Sequence, residues 1–404
     1  MQQRILAAIL LGLTVLLPAL SAAAEVDEDL IAHGEYLSRA ANCMSCHTAR
    51  GGEDFAGGRR LGTDFGTFVT PNITPDPETG IGDWTREQFR TAMHQGRRAD
   101  GSPLYPACPY TSFTRISTED IDAIHGYLQS VTAVRQENPG HNLGFPASVR
   151  PLQRIWQRLY FEAGEFEADP EQDDSWNRGA YLVRGAAHCM VCHAERGRFG
   201  EERESAVGGH VQGWYAPSLH ASREAGLQNW DEDDAVALLW AGKAGDHATL
   251  GPMGDVVYDS LQHLDEDDIR AMVRYLQTLP DHEPERPRGQ AGMSQARYDD
   301  MLARGSEIYE NRCMDCHGRS GEGTEAAGAL AGNRSVMLND PTNVILMIRQ
   351  GGYAPSTAGN PRPFGMPPFP DLDNADIAAL VTYIRGNWGN TADAVSPTTV
   401  ERTR

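Results

Sequence analysis

The pentapeptide Cys43-Met44-Ser45-Cys46-His47 recurs as Cys189-Met190-Val191-Cys192-His193 and as Cys313-Met314-Asp315-Cys316-His317. No other feature constrains the fold as tightly, because the three copies consume six of the seven cysteines. Read alone, a Cys-x-x-Cys-His stretch suits a redox dithiol, a zinc half-site or a haem attachment site. A thioredoxin-like dithiol does not need the histidine and is not usually present three times. A zinc ribbon needs its cysteine pairs close enough to share one ion, and here more than a hundred residues separate the copies. Haem attachment uses every member. Two thiols one helical turn apart add to the haem vinyl groups, and the adjacent imidazole binds the iron from one face. The sequence therefore predicts three covalently bound haem c groups. Cys43 and Cys46, Cys189 and Cys192, and Cys313 and Cys316 would attach them, with His47, His193 and His317 on the irons.

The repeat is wider than the motif. A short helical stretch precedes each copy: His33-Gly34-Glu35-Tyr36-Leu37, Arg178-Gly179-Ala180-Tyr181-Leu182 and Arg304-Gly305-Ser306-Glu307-Ile308-Tyr309. A helix with acidic start signals closes each unit. These helices begin near Ser117, Asp265 and Asp373 and carry Ile121, Ile124 and Leu128, then Ile269, Met272, Val273 and Leu276, then Ile377, Leu380, Val381 and Ile384 on one face. The first two units also share a middle segment, in which Pro71-Asn72-Ile73 parallels Pro217-Ser218-Leu219. The third replaces it with Gly-rich sequence. The expected fold is all-α: three tandem domains, each wrapped around one haem, with little strand. Their expected bounds are 25–138, 175–280 and 293–390, joined by linkers at 139–174 and 281–292. A polar tail follows at 391–404. Within the first linker Trp156, Tyr160 and Phe161 form an aromatic patch expected to pack across the domain junction.

The sixth iron position separates the units. Met253, in Gly251-Pro252-Met253, lies 60 residues after His193, and Met366, in Gly365-Met366-Pro367, lies 49 after His317. A thioether is soft and neutral and suits an electron carrier, although a lone Met can also be core filler. Equivalent placement in two copies favours Met253 and Met366 as ligands. In the first unit Cys108 stands 61 residues after His47, where the methionine should be. A thiolate there would stabilise ferric iron and lower that haem's potential. The alternatives are a buried, unligated cysteine with a five-coordinate haem, or ligation by Met93 or His94. The other histidines, His125, His210, His220, His247 and His263, are scattered without ligand spacing.

Residues 1–24 read as a secretory signal, with Arg4 before an apolar run and Ala22-Ala23-Ala24 as the cleavage site. No later stretch is long and apolar enough to span a bilayer, so membrane contact is expected to be peripheral or through a partner. Net charge is −21 with a single lysine, Lys243. That argues against nucleic-acid binding, which needs a basic footprint. No phosphate loop, dinucleotide fingerprint or Ser/His/Asp arrangement is present, and no catalytic residue is assigned.

Several stretches together carry a family resemblance: VTPNITPDPETGIGDWT, LYPACPYTSFTRIS, STEDIDAIHGYL, WNRGAYLVRGAAHCMVCH, GWYAPSL, GPMGDVV and DIAALVTYIRGNWGN. From about residue 28 to 390 the chain resembles the three-haem cytochrome c subunits of periplasmic, membrane-associated dehydrogenases of the alcohol and gluconate type. The resemblance implies a non-catalytic electron-transfer subunit on the outer face of the bacterial inner membrane. It would accept electrons from a separate dehydrogenase subunit, of quinoprotein, flavoprotein or molybdenum type, oxidising an alcohol, a sugar or sugar acid, or an aldehyde. It would pass them to ubiquinone or a terminal oxidase. Cys108 departs from the methionine of the alcohol dehydrogenase group, which weighs against the quinoprotein partner and leaves the flavoprotein and molybdenum types open. The competing reading is a self-standing redox enzyme, with a Cys-ligated or open first haem acting on sulfur compounds or peroxide.

Overall fold

The computed structural model describes residues 28–203, 207–282 and 293–403. The expected signal segment and most of the second linker, 283–292, lie outside the described residues.

Each unit opens with one helix and closes with another. The opening helices are Glu28–Ala40, Asp174–Tyr181 and Gln295–Arg312. The closing helices are Thr118–Ser130, Glu266–Gln277 and Asn374–Gly386. Each pair crosses at a glycine of the opening helix. A Cβ on Gly34 or Gly179 would stand 1.9 Å from the carbonyl oxygen of Ala123 or Ala271, and one on Gly305 would stand 2.3 Å from that of Ala379. Each of those alanines lies six residues after the N-cap of its closing helix, so the three crossings share one register. The predicted apolar stripes face inward, and Ile121, Ile124, Ile269, Val273, Ile377 and Val381 are fully buried. Each such side chain contributes about 1.5–3 kcal/mol. Ser117 accepts from the Asp120 N–H, and Asp373 forms a reciprocal capping box with Asp376.

Units one and two share a continuous core, in which Leu37, Ile116 and Ile124 pack with Leu182, Leu261 and Met272. Across that contact the units exchange tyrosines. Tyr36 donates to Asp268 at 2.6 Å and accepts from the Asp265 N–H at 3.2 Å. Tyr181 donates to Asp120 at 2.5 Å and accepts from the Ser117 N–H at 3.1 Å. Each acid is also held within its own unit, Asp120 by His33 and Asp268 by Arg178. Among the described residues the third unit keeps only the internal pair, Arg304 with Asp376. Glu307 occupies its tyrosine position, three residues after Arg304 as Tyr181 is after Arg178.

Replacing either tyrosine by phenylalanine leaves a half-buried carboxylate short of a donor, which should cost roughly 1 kcal/mol. Urea unfolding of Tyr36→Phe and Tyr181→Phe checks this; wild-type midpoints for both would dismiss the exchange as a contributor. The contact is also acid-sensitive. Burial raises the Asp268 pKa, but the Arg178 and Tyr36 hydrogen bonds outweigh it and hold the group below the ordinary carboxylate range. A depressed folded-state pKa gives stability that is present above the unfolded value, about 3.9, and lost as pH falls through the folded one.

The third unit has its own core around Tyr309, Ile345, Ile377 and Val381. It docks on the second through Asn343, whose amide accepts from the Tyr215 N–H at 3.0 Å and donates to the Tyr215 carbonyl at 2.7 Å. Arg334 lies over the Trp230 ring at 5.3 Å, and His210 pairs with Asp340 at 3.1 Å. The polar tail packs back on this unit. Val395 and Val400 are buried, and the buried Arg385 donates to the carbonyls of Val336, Leu338 and Asp393.

Short strands depart from the all-α expectation. Arg60–Thr63 pairs antiparallel with Gly66–Val69, which also pairs with Asn142–Leu143. Pairs of two or three residues recur at 195–196 with 202–203, 209–211 with 214–216, 243–244 with 247–248 and 352–353 with 365–366. Such ladders arise where loops run back on themselves at glycine turns, and they are too short for period-two alternation to show.

Candidate haem sites

Each Cys-x-x-Cys-His copy forms a single helical turn: Cys43–His47, Met190–His193 and Met314–His317. In the first two units the turn begins after a residue that lets the chain bend sharply. Asn42 and His188, the residues before Cys43 and Cys189, have φ of 52° and 40°. The helical turn sets both thiols and the imidazole on one local frame.

The imidazoles are then locked by backbone carbonyls. His47 Nδ1 meets the Pro71 carbonyl at 2.8 Å, His193 Nδ1 meets that of Pro217 at 2.6 Å, and His317 Nδ1 meets that of Gly328 at 3.4 Å. A carbonyl oxygen can only accept, so Nδ1 carries the proton and Nε2 is left as a free lone pair. Burial also holds the three imidazoles below the ordinary histidine pKa, against the opposing pull of those hydrogen bonds. A neutral, oriented Nε2 donor beside two thiols is the donor set that a covalent haem requires, so the residues fit the group.

Pro71, Pro217 and Gly328 are the functional positions that the sequence reading missed. The signal was available for two of them. Both prolines stand 24 residues after their histidine and open the segment already recognised as shared by units one and two.

The structure brings Cys108 to the first site. Its thiol is pushed up to about 12, first by burial and then by the nearby Cys46 and Cys43 thiols. The two other ligands considered for this haem lie in the same unit. Met93 is packed in the core, and His94 Nε2 bonds the Ile116 carbonyl at 2.9 Å. Met253 sits in the first turn of the helix Pro252–Asp259 and packs at the margin of the shared core. That helix also contacts the Cys43–His47 turn across the unit boundary. Met366 lies in the strand pair Gly352–Tyr353 with Gly365–Met366 and packs at the margin of the third core.

Sites one and two are neighbours. Burial raises the Cys192 thiol to about 11, and the next contributor is Cys46 of the first motif. Phe113, just after the Cys108 loop, meets the His188 ring at 5.3 Å beside the second motif. The segment that carries or directly follows the candidate second ligand of each unit therefore abuts the attachment motif of the other. Among the described residues no cluster of three or more His, Cys, Asp or Glu side chains is arranged to hold a separate metal ion.

Helical units that each carry a Cys-x-x-Cys-His turn with a carbonyl-locked imidazole define a c-type cytochrome. The comparisons agree: the cytochrome c family model matches residues 31–132, 177–280 and 302–388. The chain belongs to the cytochrome c family, whose domains carry covalently bound haem c.

It is similar to the cytochrome c subunit of the quinone-type alcohol dehydrogenase of Gluconobacter oxydans, with 35% identity covering 95% of this chain and 84% of that protein. With the gluconate 2-dehydrogenase cytochrome c subunit of Pantoea cypripedii it shares 36% identity over 95% of this chain and 92% of that one. With a nicotinate dehydrogenase subunit of Pseudomonas putida it shares 38% identity over 88% of this chain but only 30% of that longer protein.

Proposed function

We propose that the chain is the three-haem electron-relay subunit of a dehydrogenase complex. It takes electrons from a separate catalytic subunit that oxidises an alcohol, a sugar or sugar acid, or an aldehyde. It delivers them to ubiquinone or a terminal acceptor at the outer face of the bacterial inner membrane, with its own membrane contact peripheral or through a partner. The observation that carries this reading is the recurrence of the locked Cys-x-x-Cys-His turn in three units of one chain, two of them with neighbouring attachment cysteines. The relatives support it, since they are named as subunits of dehydrogenases. The alternative of a self-standing enzyme at the first haem gains no support from them.

When bound, each haem supplies reversible one-electron chemistry. The chain's own residues do the rest. Six cysteines would hold the three groups in place. His47, His193 and His317 present Nε2 in a fixed tautomer, held by Pro71, Pro217 and Gly328. Cys108, Met253 and Met366 would supply the second protein ligand of each unit, one thiol and two thioethers. The proposed domains follow the three units, 25–138, 175–280 and 293–390.

Two measurements test the reading. A pyridine haemochrome assay on the purified chain should give three haems per polypeptide, and a value near two would reject the count. Purification from the host membrane should bring down a stoichiometric large subunit carrying pyrroloquinoline quinone, flavin or molybdenum. A chain that comes away alone, fully loaded, would instead be a free carrier.

A further inference from the structure

One surface of the first unit reverses the charge of the rest. Residues 140–161 contain Arg150, Arg154 and Arg158 and no acidic residue, in a chain of net charge −21. Within this segment the helix Gln153–Tyr160 places Ile155 and Leu159 on one stripe and Arg154 and Arg158 on the adjoining one. The helix is seated by its other face. Gln157 Nε2 donates to the Gly96 carbonyl at 2.9 Å, and Phe161, just beyond the helix, meets the Tyr110 ring at 5.0 Å. The outward stripe is bare: Ile155 is 57% exposed and Leu159 66%, while Phe145, at the preceding turn, is 84% exposed.

The patch continues onto the second unit. Tyr160 stacks on the exposed Phe199 at 6.4 Å, and Trp156 Nε1 donates to the Phe199 carbonyl at 2.8 Å. Gly200 abuts the Phe65 ring, and the Phe65 carbonyl accepts from the Gly144 N–H next to Phe145. Arg97, Arg98 and Arg198 are exposed on the same stretches of chain that carry or flank these contacts.

We propose that this face lies on an anionic lipid surface. The proposal rests on the reading of the chain as a relay working at a membrane, and it names the residues that make the contact. Protruding aliphatic and aromatic side chains enter the boundary between headgroups and acyl chains, while guanidinium groups beside them stay with the phosphates. Within residues 140–161 arginine is the one charged residue type, with Asp100 and Glu201 on the flanking stretches, and Phe145 projects clear of the surface. The orientation has a functional result. Tyr110, packed beneath the helix through Phe161, is two residues from Cys108. The first unit is then the one held nearest the lipid, where a membrane-dissolved acceptor arrives.

The test is co-sedimentation of the full, haem-loaded chain with vesicles. Phosphatidylethanolamine vesicles containing about one quarter phosphatidylglycerol should bind it in a salt-sensitive manner, and phosphatidylcholine vesicles should not. Combined Phe145→Ser, Ile155→Ser and Leu159→Ser should weaken binding at least about tenfold, and Arg154→Gln with Arg158→Gln should also weaken it. The haem spectrum should stay unchanged in both, which separates loss of contact from loss of fold. Equal binding by the variants and the wild type, or no binding by the wild type, overturns the proposal. Retained vesicle binding with lost co-purification of the dehydrogenase also overturns it and assigns the face to the protein partner. The relay reading fails by a different result, absence of haem reduction in the wild type when the dehydrogenase and its substrate are supplied.

Discussion

Gly179→Val is expected to abolish closure of the second unit. The new Cβ would stand 1.9 Å from the Ala271 carbonyl oxygen and 2.4 Å from its carbon. Both are backbone atoms of the closing helix, so no side chain can rotate away to relieve the clash. The helices must separate, and separation exposes Ile269, Met272 and Val273, which are buried in the shared core. Overpacking typically costs 1–3 kcal/mol where side chains can adjust; against backbone we expect more than about 3 kcal/mol. Because units one and two share one core, the loss should reach the first haem site too. Gly126→Ala is the matched control. It lies in the closing helix of the first unit, and its Cβ would meet nothing nearer than Leu30 Cδ2 at 3.9 Å. That change should stabilise by about 0.5–1 kcal/mol, the helix cost of glycine. Urea unfolding followed by circular dichroism and Soret absorbance reads both. A wild-type midpoint for Gly179→Val would mean that the helices do not cross at this glycine.

Cys108→Ala is expected to change the spectrum and potential of one haem and leave the other two as they are. The thiol is close enough to the first attachment pair to feel Cys46 and Cys43, and His94 Nε2 is taken by the Ile116 carbonyl. A thiolate donor stabilises ferric iron, so its loss should raise that haem's potential by on the order of 100 mV, well within the range of about 0.8 V that axial ligands span. Cys108→Met should give the first unit the donor set of the other two and restore a low-spin signal at a higher potential. Met253→Ala and Met366→Ala should each disturb a different haem. Electron paramagnetic resonance and a spectroelectrochemical titration distinguish these outcomes. Three unchanged low-spin signals in Cys108→Ala would remove Cys108 from the ligand set.

The attachment turns were legible because their chemistry is local. Two thiols and an imidazole must lie within one turn, and nothing distant is needed to specify that. The closing helices were legible for a similar reason, since Ile269, Met272, Val273 and Leu276 repeat at helical spacing. What escaped depends on contacts across long stretches of chain. The proline carbonyl that locks His47 or His193 could be suspected from equal spacing, but its role needs the loop to fold back over the ring. The tyrosine exchange left a trace, a tyrosine at the same place in two units and a glutamate in the third. The trace does not say that each tyrosine reaches the other unit's helix. The small ladders were illegible because two paired residues impose no pattern.

That exchange has a consequence for how direction can arise. Tyr36 reaches Asp268 while Tyr181 reaches Asp120, residue for residue. This is the contact of a two-fold homodimer, in which one patch meets its own copy. A true homodimer would carry identical iron environments on both sides of its axis and could favour neither. Here the two halves belong to one polypeptide, so a substitution in one is not repeated in the other. The position that reads methionine in the second half, Met253, reads cysteine in the first, Cys108. Covalent fusion keeps the packing of a symmetric pair and frees its two sites to differ, which is the condition for an electron to have a preferred side.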